Sequence, residues 1–163
     1  MGLIGAASLS LALPVSLRAQ STEEPDADRG RVVFRSVGYC VNCHGWAGDG
    51  QSGTNLQAPI GPNLRETALG TEDLIEVIGC GRPGTPMPYH DRAAYRDGRC
   101  FDMELSDFAE GMAPVRGRTF SDRDVANVVA YMEARMIDRG PPTFEECAAF
   151  YDNPDAHACA SLR

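Results

Sequence analysis

The sequence has no lysine. All of its 15 basic residues are arginines, and 23 acidic residues bring the formal net charge to −8. A protein that binds nucleic acid needs a basic surface for the phosphates, and one that binds anionic lipid needs basic clusters near the membrane. The composition therefore argues against both kinds of partner. It favours a protein partner that presents a basic docking patch.

The sequence also lacks a hydrophobic run long enough for a comfortable membrane span. Residues 2–17 are apolar or small, and a region suited to signal-peptide cleavage follows them, ending at Ala19. This pattern predicts a secretory signal peptide over residues 1–19, although no Lys or Arg precedes the apolar run. An uncleaved apolar anchor is the alternative. We expect the chain to be exported to the periplasm.

No segment has the two-residue alternation of a β-strand, and no internal repeat is visible. The chain is long enough for one domain with a core but not for two of ordinary size. Helical patterns, by contrast, recur along the chain. The predicted fold class is all-α, with short helices separated by long loops, of which residues 45–63 form a long irregular one.

Capping residues and apolar spacing predict where the helices begin and end. The first helix follows Asp26 or Asp28 and runs through RVVFRSVGYC, and a second begins with Thr71 as its N-cap. A strong helix begins after Ser121 and ends at Gly140. We expect one more short helix near residues 106–110 and another in the tail, residues 143–163.

Only two of the six cysteines are close in sequence, Cys40 and Cys43 in the stretch C-V-N-C-H. The others are Cys80, Cys100, Cys147 and Cys159. Cysteines of an exported chain usually pair in the oxidising compartment. Pairing by proximity predicts the disulfides Cys80–Cys100 and Cys147–Cys159, although four cysteines permit three pairings.

The C-V-N-C-H stretch decides between several kinds of site. A tetrahedral zinc site needs four ligands, usually from two such cysteine pairs, and a second pair is absent from the sequence. A redox dithiol normally follows a strand in a βαβ unit. The immediate succession of Cys43 by His44 is the pattern of c-type haem attachment, in which both thiols form thioethers and the imidazole binds iron. We therefore predict one covalently bound haem c.

Further residues match one family in the expected order, so that the chain, over residues 28–136, resembles a monohaem class I cytochrome c. Gly30 and Phe34 match the glycine and aromatic residue of that family's first helix, and Tyr131 matches the aromatic residue of its last helix. The resemblance implies the cytochrome c fold, wrapped around a single haem.

The resemblance also implies the site residues. Cys40 and Cys43 would hold the haem and His44 would be an axial ligand to the iron. The carbonyl of Pro62, in Gly61-Pro62, would accept the proton of His44, and Met87, in Met87-Pro88, would be the sixth ligand. A fully coordinated iron suits electron transfer rather than catalysis, so we expect an electron carrier and not an enzyme.

Several features depart from the compact members of this family. Residues 89–119 are inserted between Met87-Pro88 and the last helix, and they include Met103 and Met112. Met112 is therefore an alternative sixth ligand, although methionine fills apolar gaps more often than it binds metal. We expect His90 to be a surface or loop histidine. Trp46 either covers a haem edge or packs within its loop.

These observations predict a periplasmic electron carrier. Its acidic composition and inserted loop resemble those of cytochromes that accept electrons from periplasmic quinoprotein dehydrogenases, and this resemblance implies such a dehydrogenase as donor and a downstream cytochrome or oxidase as acceptor. The alternatives are a haem subunit fixed in a larger oxidoreductase and a haem enzyme or gas sensor with an open sixth site. The predicted organisation comprises a signal peptide (1–19), a flexible N-terminus (20–27), a cytochrome c domain (28–140, with the insertion 89–119) and a C-terminal extension (141–163).

Overall fold

The computed structural model describes residues 24–51 and 57–163, and in these ranges the regular structure is helical. The helices are α1 (Ala27–Val32), α2 (Val41–His44), α3 (Thr71–Cys80), α4 (Asp122–Arg135) and α5 (Phe144–Tyr151). A π-helical turn covers Val33–Val37, and 3-10 turns cover Leu64–Glu66, Leu105–Asp107 and His157–Leu162. The prediction of an all-α fold class is confirmed. The signal peptide predicted over residues 1–19 lies outside the described residues.

Helices α1 and α4 cross at a point where their backbones touch. A Cβ added to Gly30 would lie only 1.9 Å from the backbone oxygen of Asn127 and 2.7 Å from Cβ of Tyr131. Only glycine permits so close an approach. The rings of Phe34 and Tyr131 pack beside the crossing, with their centroids 5.8 Å apart. The glycine and aromatic residues singled out in the sequence therefore meet in one contact.

The first helix is shorter than predicted because its hydrogen-bonding pattern changes before the cysteines. Asp26 caps α1 as expected, through its side chain and the N–H groups of Asp28 and Arg29. The chain then widens into a π turn, in which the N–H of Gly38 donates to the carbonyl of Val33. A Cβ at Gly38 would lie 2.7 Å from the ring of Phe120. The π turn therefore lets the backbone at Gly38 pack closely against the ring of Phe120 before α2 begins.

The other helices begin close to the predicted positions. Ser121 caps α4 in a reciprocal pair with Asp124, as its sequence predicts. Helix α3 is capped at Gly70 rather than Thr71, because the carboxylate of Asp73 accepts from the N–H of Gly70. Helix α4 ends at Arg135, before the predicted Gly140, because the N–H of Asp138 instead donates to the carbonyl of Arg65.

Ala94, Tyr95 and Cys100 of the insertion 89–119 form a small apolar cluster with Cys80 of α3. The disulfide Cys80–Cys100 joins this cluster to the end of α3, and the hydroxyl of Tyr95 donates to the carbonyl of Cys80 at 2.7 Å. A parallel bridge between Tyr89 and Arg116 closes the insertion. Instead of the short helix predicted near residues 106–110, the chain has the 3-10 turn Leu105–Asp107.

The C-terminal extension packs onto the same core as the helices that precede it. Phe150 and the disulfide Cys147–Cys159 are buried in the main core, which also contains Val33, Leu74, Ile78, Val128 and Met132. Both disulfides are the pairs that proximity predicted. The extension is therefore part of the folded unit rather than a loose tail.

The beginning of the described chain is attached to α4 by hydrogen bonds. The N–H of Asp26 donates to the side chain of Asn127, and Arg123 donates to the carbonyl of Glu24, so the chain contacts α4 from residue 24 onward. Within residues 24–51 and 57–163, none of the helices has the length and hydrophobicity that crossing a membrane requires.

Candidate haem site

Cys40 and Cys43 lie on the short turn that forms α2. Both are free thiols and both are partly exposed, whereas the other four cysteines are paired. The apolar surroundings raise the pKa of the Cys40 thiol to about 12 and also raise the pKa of Cys43. The two side chains are therefore neutral near pH 7 and are not tied to each other. This is what an attachment site for two vinyl groups requires.

His44 ends α2 and is only 8% exposed. Its Nδ1 lies 3.1 Å from the carbonyl oxygen of Pro62, which accepts the ring proton. Burial lowers the pKa of His44, and the hydrogen bond to Pro62 partly opposes that effect. The ring is therefore neutral at pH 7, and its Nε2 remains available as a metal ligand.

The Pro62 carbonyl is held in place by backbone hydrogen bonds that join the residues flanking Pro62 to the chain just before and just after His44. The N–H of Gly61 donates to the carbonyl of Cys43, and the N–H of Leu64 donates to the carbonyl of Gly48. A Cβ at Gly61 would lie 2.6 Å from Nδ1 of His44. The glycine of Gly61-Pro62 therefore lets the chain approach the imidazole closely enough for the hydrogen bond.

Met87 lies in a tight loop that follows α3. Its side chain is partly buried and packs against the main core, the same core that Cys40 and Leu64 contact. Gly81, at φ 67°, starts the loop where a Cβ would lie 2.6 Å from the backbone of Pro88. The loop returns on itself, with the N–H of Arg82 donating to the carbonyl of Met87.

The alternative ligands lie elsewhere. Met112 is 51% exposed, and Met103 packs against the cluster of the insertion rather than the main core. Of the methionines considered as sixth ligands, only Met87 packs against the main core.

The sequence predicts that His90 is a surface or loop histidine, and the structure places it in a loop but buried rather than on the surface. It is 5% exposed, its Nδ1 lies 2.7 Å from the carbonyl oxygen of Arg118, and its ring stacks on Phe120 with centroids 4.0 Å apart. A Cβ at Gly117 would lie 2.8 Å from the His90 ring and 3.1 Å from Pro88. His90 therefore holds the C-terminal end of the insertion beside the loop that contains Met87.

Trp46 packs on the C-terminal extension. It is 5% exposed, and its ring lies 6.1 Å from Phe150 and 6.4 Å from Tyr151, between centroids. These contacts place Trp46 against the C-terminal extension rather than within its own loop, and the alternative that it covers a haem edge stays a prediction. A chain separation of more than a hundred residues hides this contact from sequence reasoning.

Sequence reasoning also missed Arg65, a buried arginine three residues after Pro62. Its guanidinium donates to the carbonyls of Ala47 and Gly140 and to both carboxylate oxygens of Glu146. An arginine in a polar loop ordinarily lies on the surface, so its residue type gives no signal of burial. The ion pair it forms joins the loop after His44 to α5.

The donor set fits a covalent haem better than a metal ion bound by side chains alone. Among the described residues, no group of three or more His, Cys, Asp or Glu side chains is arranged to hold a metal ion. Two unpaired thiols and a neutral, oriented imidazole instead occupy one turn of chain. A thioether side chain on the main core completes the set that a haem c would use.

Comparison with known proteins gives a family match. The family model described as "Cytochrome C oxidase, cbb3-type, subunit III" matches residues 25–132. Among solved structures, cytochrome c2 from Rhodobacter sphaeroides is similar, with 17% sequence identity and a TM-score of 0.35, over 70% of this chain and 98% of that one. No curated protein matches the chain.

Proposed function

This chain belongs to the cytochrome c family represented by the cbb3-type cytochrome c oxidase subunit III model, and we propose that it carries single electrons through one haem c with His44 and Met87 as axial ligands. It is a monohaem class I c-type cytochrome with the all-α cytochrome c fold, and members of the family transfer electrons to and from redox proteins. The ligand assignment rests on two contacts. The His44 ring is oriented by the Pro62 carbonyl, and the Met87 thioether packs against the main core.

Each residue has a distinct task in this proposal. The thiols of Cys40 and Cys43 would hold the haem on α2 through thioethers, and His44, the next residue, would bind its iron. The Pro62 carbonyl holds the His44 ring in one tautomer and raises its basicity as a ligand. When bound, the haem supplies a one-electron iron couple whose potential is raised by Met/His ligation.

Met87 is preferred over Met112 and Met103 because of where each side chain packs. A thioether that would bind the iron of a haem held by α2 should lie against the main core that Cys40 also contacts, and Met87 packs against that core. The loop that carries it is pinned by Gly81 and by the Arg82–Met87 backbone hydrogen bond. Met112 is largely exposed, so it would have to leave the surface to bind iron.

The test is the far-red absorption band from sulfur-to-iron charge transfer in the ferric protein. We expect the band in the wild-type protein and in Met112→Ala, and its loss in Met87→Ala. Met112→Ala is a matched control, because it removes a thioether of the same type from the neighbouring insertion. A band that persists in Met87→Ala would reject the ligand assignment, and a high-spin wild-type spectrum would favour an enzyme or sensor with an open sixth site.

We further propose that the protein works in the periplasm and accepts electrons from a periplasmic dehydrogenase of the quinoprotein type. The predicted signal peptide supports export, and the net charge of −8 favours a donor with a basic docking patch. A fixed haem subunit of a larger oxidoreductase is the second candidate, since the matching family model is described as an oxidase subunit.

A further inference from the structure

The guanidinium of Arg65 is a buried charge with all of its donor nitrogens in use. Its side chain is 3% exposed. Nη1 donates to the carbonyl of Ala47 at 3.1 Å, Nη2 donates to the two carboxylate oxygens of Glu146 at 3.2 and 3.0 Å, and Nε donates to the carbonyl of Gly140. A planar fork of this kind holds its acceptors in a defined geometry, which a point charge would not.

These contacts converge on the two chain segments that form the His44–Pro62 hydrogen bond. Arg65 follows Pro62 by three residues, and Ala47 follows His44 by three residues. The guanidinium therefore ties the segment that carries the acceptor to the segment that carries the imidazole. The hydrogen bond of Leu64 to Gly48 adds a second tie in the same place.

The far end of this link is the C-terminal extension, which lies outside the family match over residues 25–132. Glu146 is in the first turn of α5, and the disulfide Cys147–Cys159 buries the next residue of that helix in the core. A carboxylate on such an anchored helix is held against the buried guanidinium. The carboxylate is partly exposed but the guanidinium is buried, so removing Glu146 leaves a buried positive charge without its counter-ion, and the neighbouring chain has to move or admit water.

We propose that the C-terminal extension sets the hydrogen bond on His44 through the Arg65–Glu146 ion pair, and that Arg65 and Glu146 are positioning residues for the reduction potential of the haem. This proposal rests on the proposed role of His44 as an axial ligand. A carbonyl held close to Nδ1 makes the imidazole a stronger donor and so favours ferric iron. When the link is loosened, the hydrogen bond weakens and the potential rises.

The experiment compares Glu146→Gln with Glu145→Gln in the holoprotein. Glu145 is the exposed neighbour on α5, so its variant removes the same charge and leaves the Arg65 contacts in place. Glutamine at 146 can still complete the cap with Thr143, so α5 keeps its first turn. The readouts are the midpoint potential and the solvent exchange rate of the His44 Nδ1 proton, followed by NMR in the ferrous protein.

We expect Glu146→Gln to raise the midpoint potential and to speed exchange of the His44 proton about tenfold, as the loss of one charge-assisted hydrogen bond implies. Glu145→Gln should leave the exchange rate unchanged and alter the potential less. Glu146→Asp keeps the charge but shortens the side chain, and it should shift both readouts in the same direction as Glu146→Gln. It also serves as the test if Glu146→Gln does not fold.

Equal potentials and equal exchange rates in the wild-type protein and in the folded Glu146 variants would overturn the proposal. That result leaves the electron-carrier function intact, because the wild-type protein would still give the spectrum of an axial histidine. A wild-type holoprotein without a histidine ligand would instead remove the proposed function itself.

Discussion

Replacement of Gly30 by alanine tests the crossing of α1 and α4, on which the geometry of the haem site depends. The added Cβ would lie 1.9 Å from the carbonyl oxygen of Asn127 and 2.6 Å from its carbonyl carbon. Both atoms belong to the backbone of α4 and cannot rotate away as the end of a side chain can. The two helices would have to separate, which also stretches the hydrogen bond between the N–H of Asp26 and the Asn127 side chain.

The expected change in stability is the difference between two opposing effects. Alanine is favoured over glycine inside a helix by ~1 kcal/mol. Overpacking of a closely packed contact costs about 1–3 kcal/mol, and a backbone clash belongs at the upper end of that range. We therefore expect Gly30→Ala to lower the free energy of unfolding by about 2 kcal/mol. With a urea dependence near 2 kcal/mol per molar, the midpoint falls by about 1 M.

The matched control is Gly79→Ala, in a buried helical glycine of α3 with room for a methyl group. Its nearest atom to an added Cβ is Cβ of Asp91 at 3.8 Å, which is ordinary contact. Only the helix preference should act there, so the free energy of unfolding stays equal or rises by up to ~1 kcal/mol. Urea titrations of both holoproteins, followed by far-UV circular dichroism, make the comparison. Equal stability of Gly30→Ala and wild type would show that the helices do not touch as described.

Two further predictions concern pH and ionic strength. Burial raises the pKa of the Tyr131 phenol from 10.0 to about 12. The contribution of Tyr131 to the free energy of unfolding is therefore complete below pH 10, where the phenol is neutral in both the folded and the unfolded protein. It is lost as the pH rises to 12, because the unfolded protein releases this proton first. Over two pH units the loss in the free energy of unfolding is at most ~2.7 kcal/mol. Urea midpoints measured between pH 9 and pH 12 should therefore fall less steeply in Tyr131→Phe than in the wild-type protein. Parallel plots of midpoint against pH for the two proteins would contradict the assignment. Reduction of the protein by a quinoprotein-type dehydrogenase from the same cell should be fast at low salt and slow as salt screens the attraction. Absence of reduction at low salt would reject this partner, and co-purification with a membrane oxidase would favour the subunit alternative.

The parts of the structure that the sequence predicts are those set by neighbouring residues. The start of α4 follows from Ser121 and Asp124, which cap the helix within one turn. The position of His44 next to Cys43 likewise comes from adjacent residues. The fold class needs no more than the helical spacing and the absence of strand patterns, and the disulfides followed from proximity along the chain.

The parts that the sequence does not predict depend on contacts between distant segments. His90 is buried only because the end of the insertion folds back and places Phe120 and the carbonyl of Arg118 against its ring. Arg65 is buried only because Glu146, 81 residues later, reaches it. Residue type points the wrong way for Arg65, since arginine is ordinarily exposed, and it gives little guidance for His90, since histidine is intermediate in burial.

The long loop after His44 illustrates how the two kinds of information combine. A loop of this length inside a compact domain is usually functional or held by something else, and a bound cofactor is one such support. The described part of the loop is also supported by the chain itself: Gly50 donates to the carbonyl of His44, and the carbonyl of Ala47 accepts from Arg65. Backbone groups that pair within the protein need no partner from a haem. The described part of the loop is therefore held next to His44 by hydrogen bonds of the polypeptide itself.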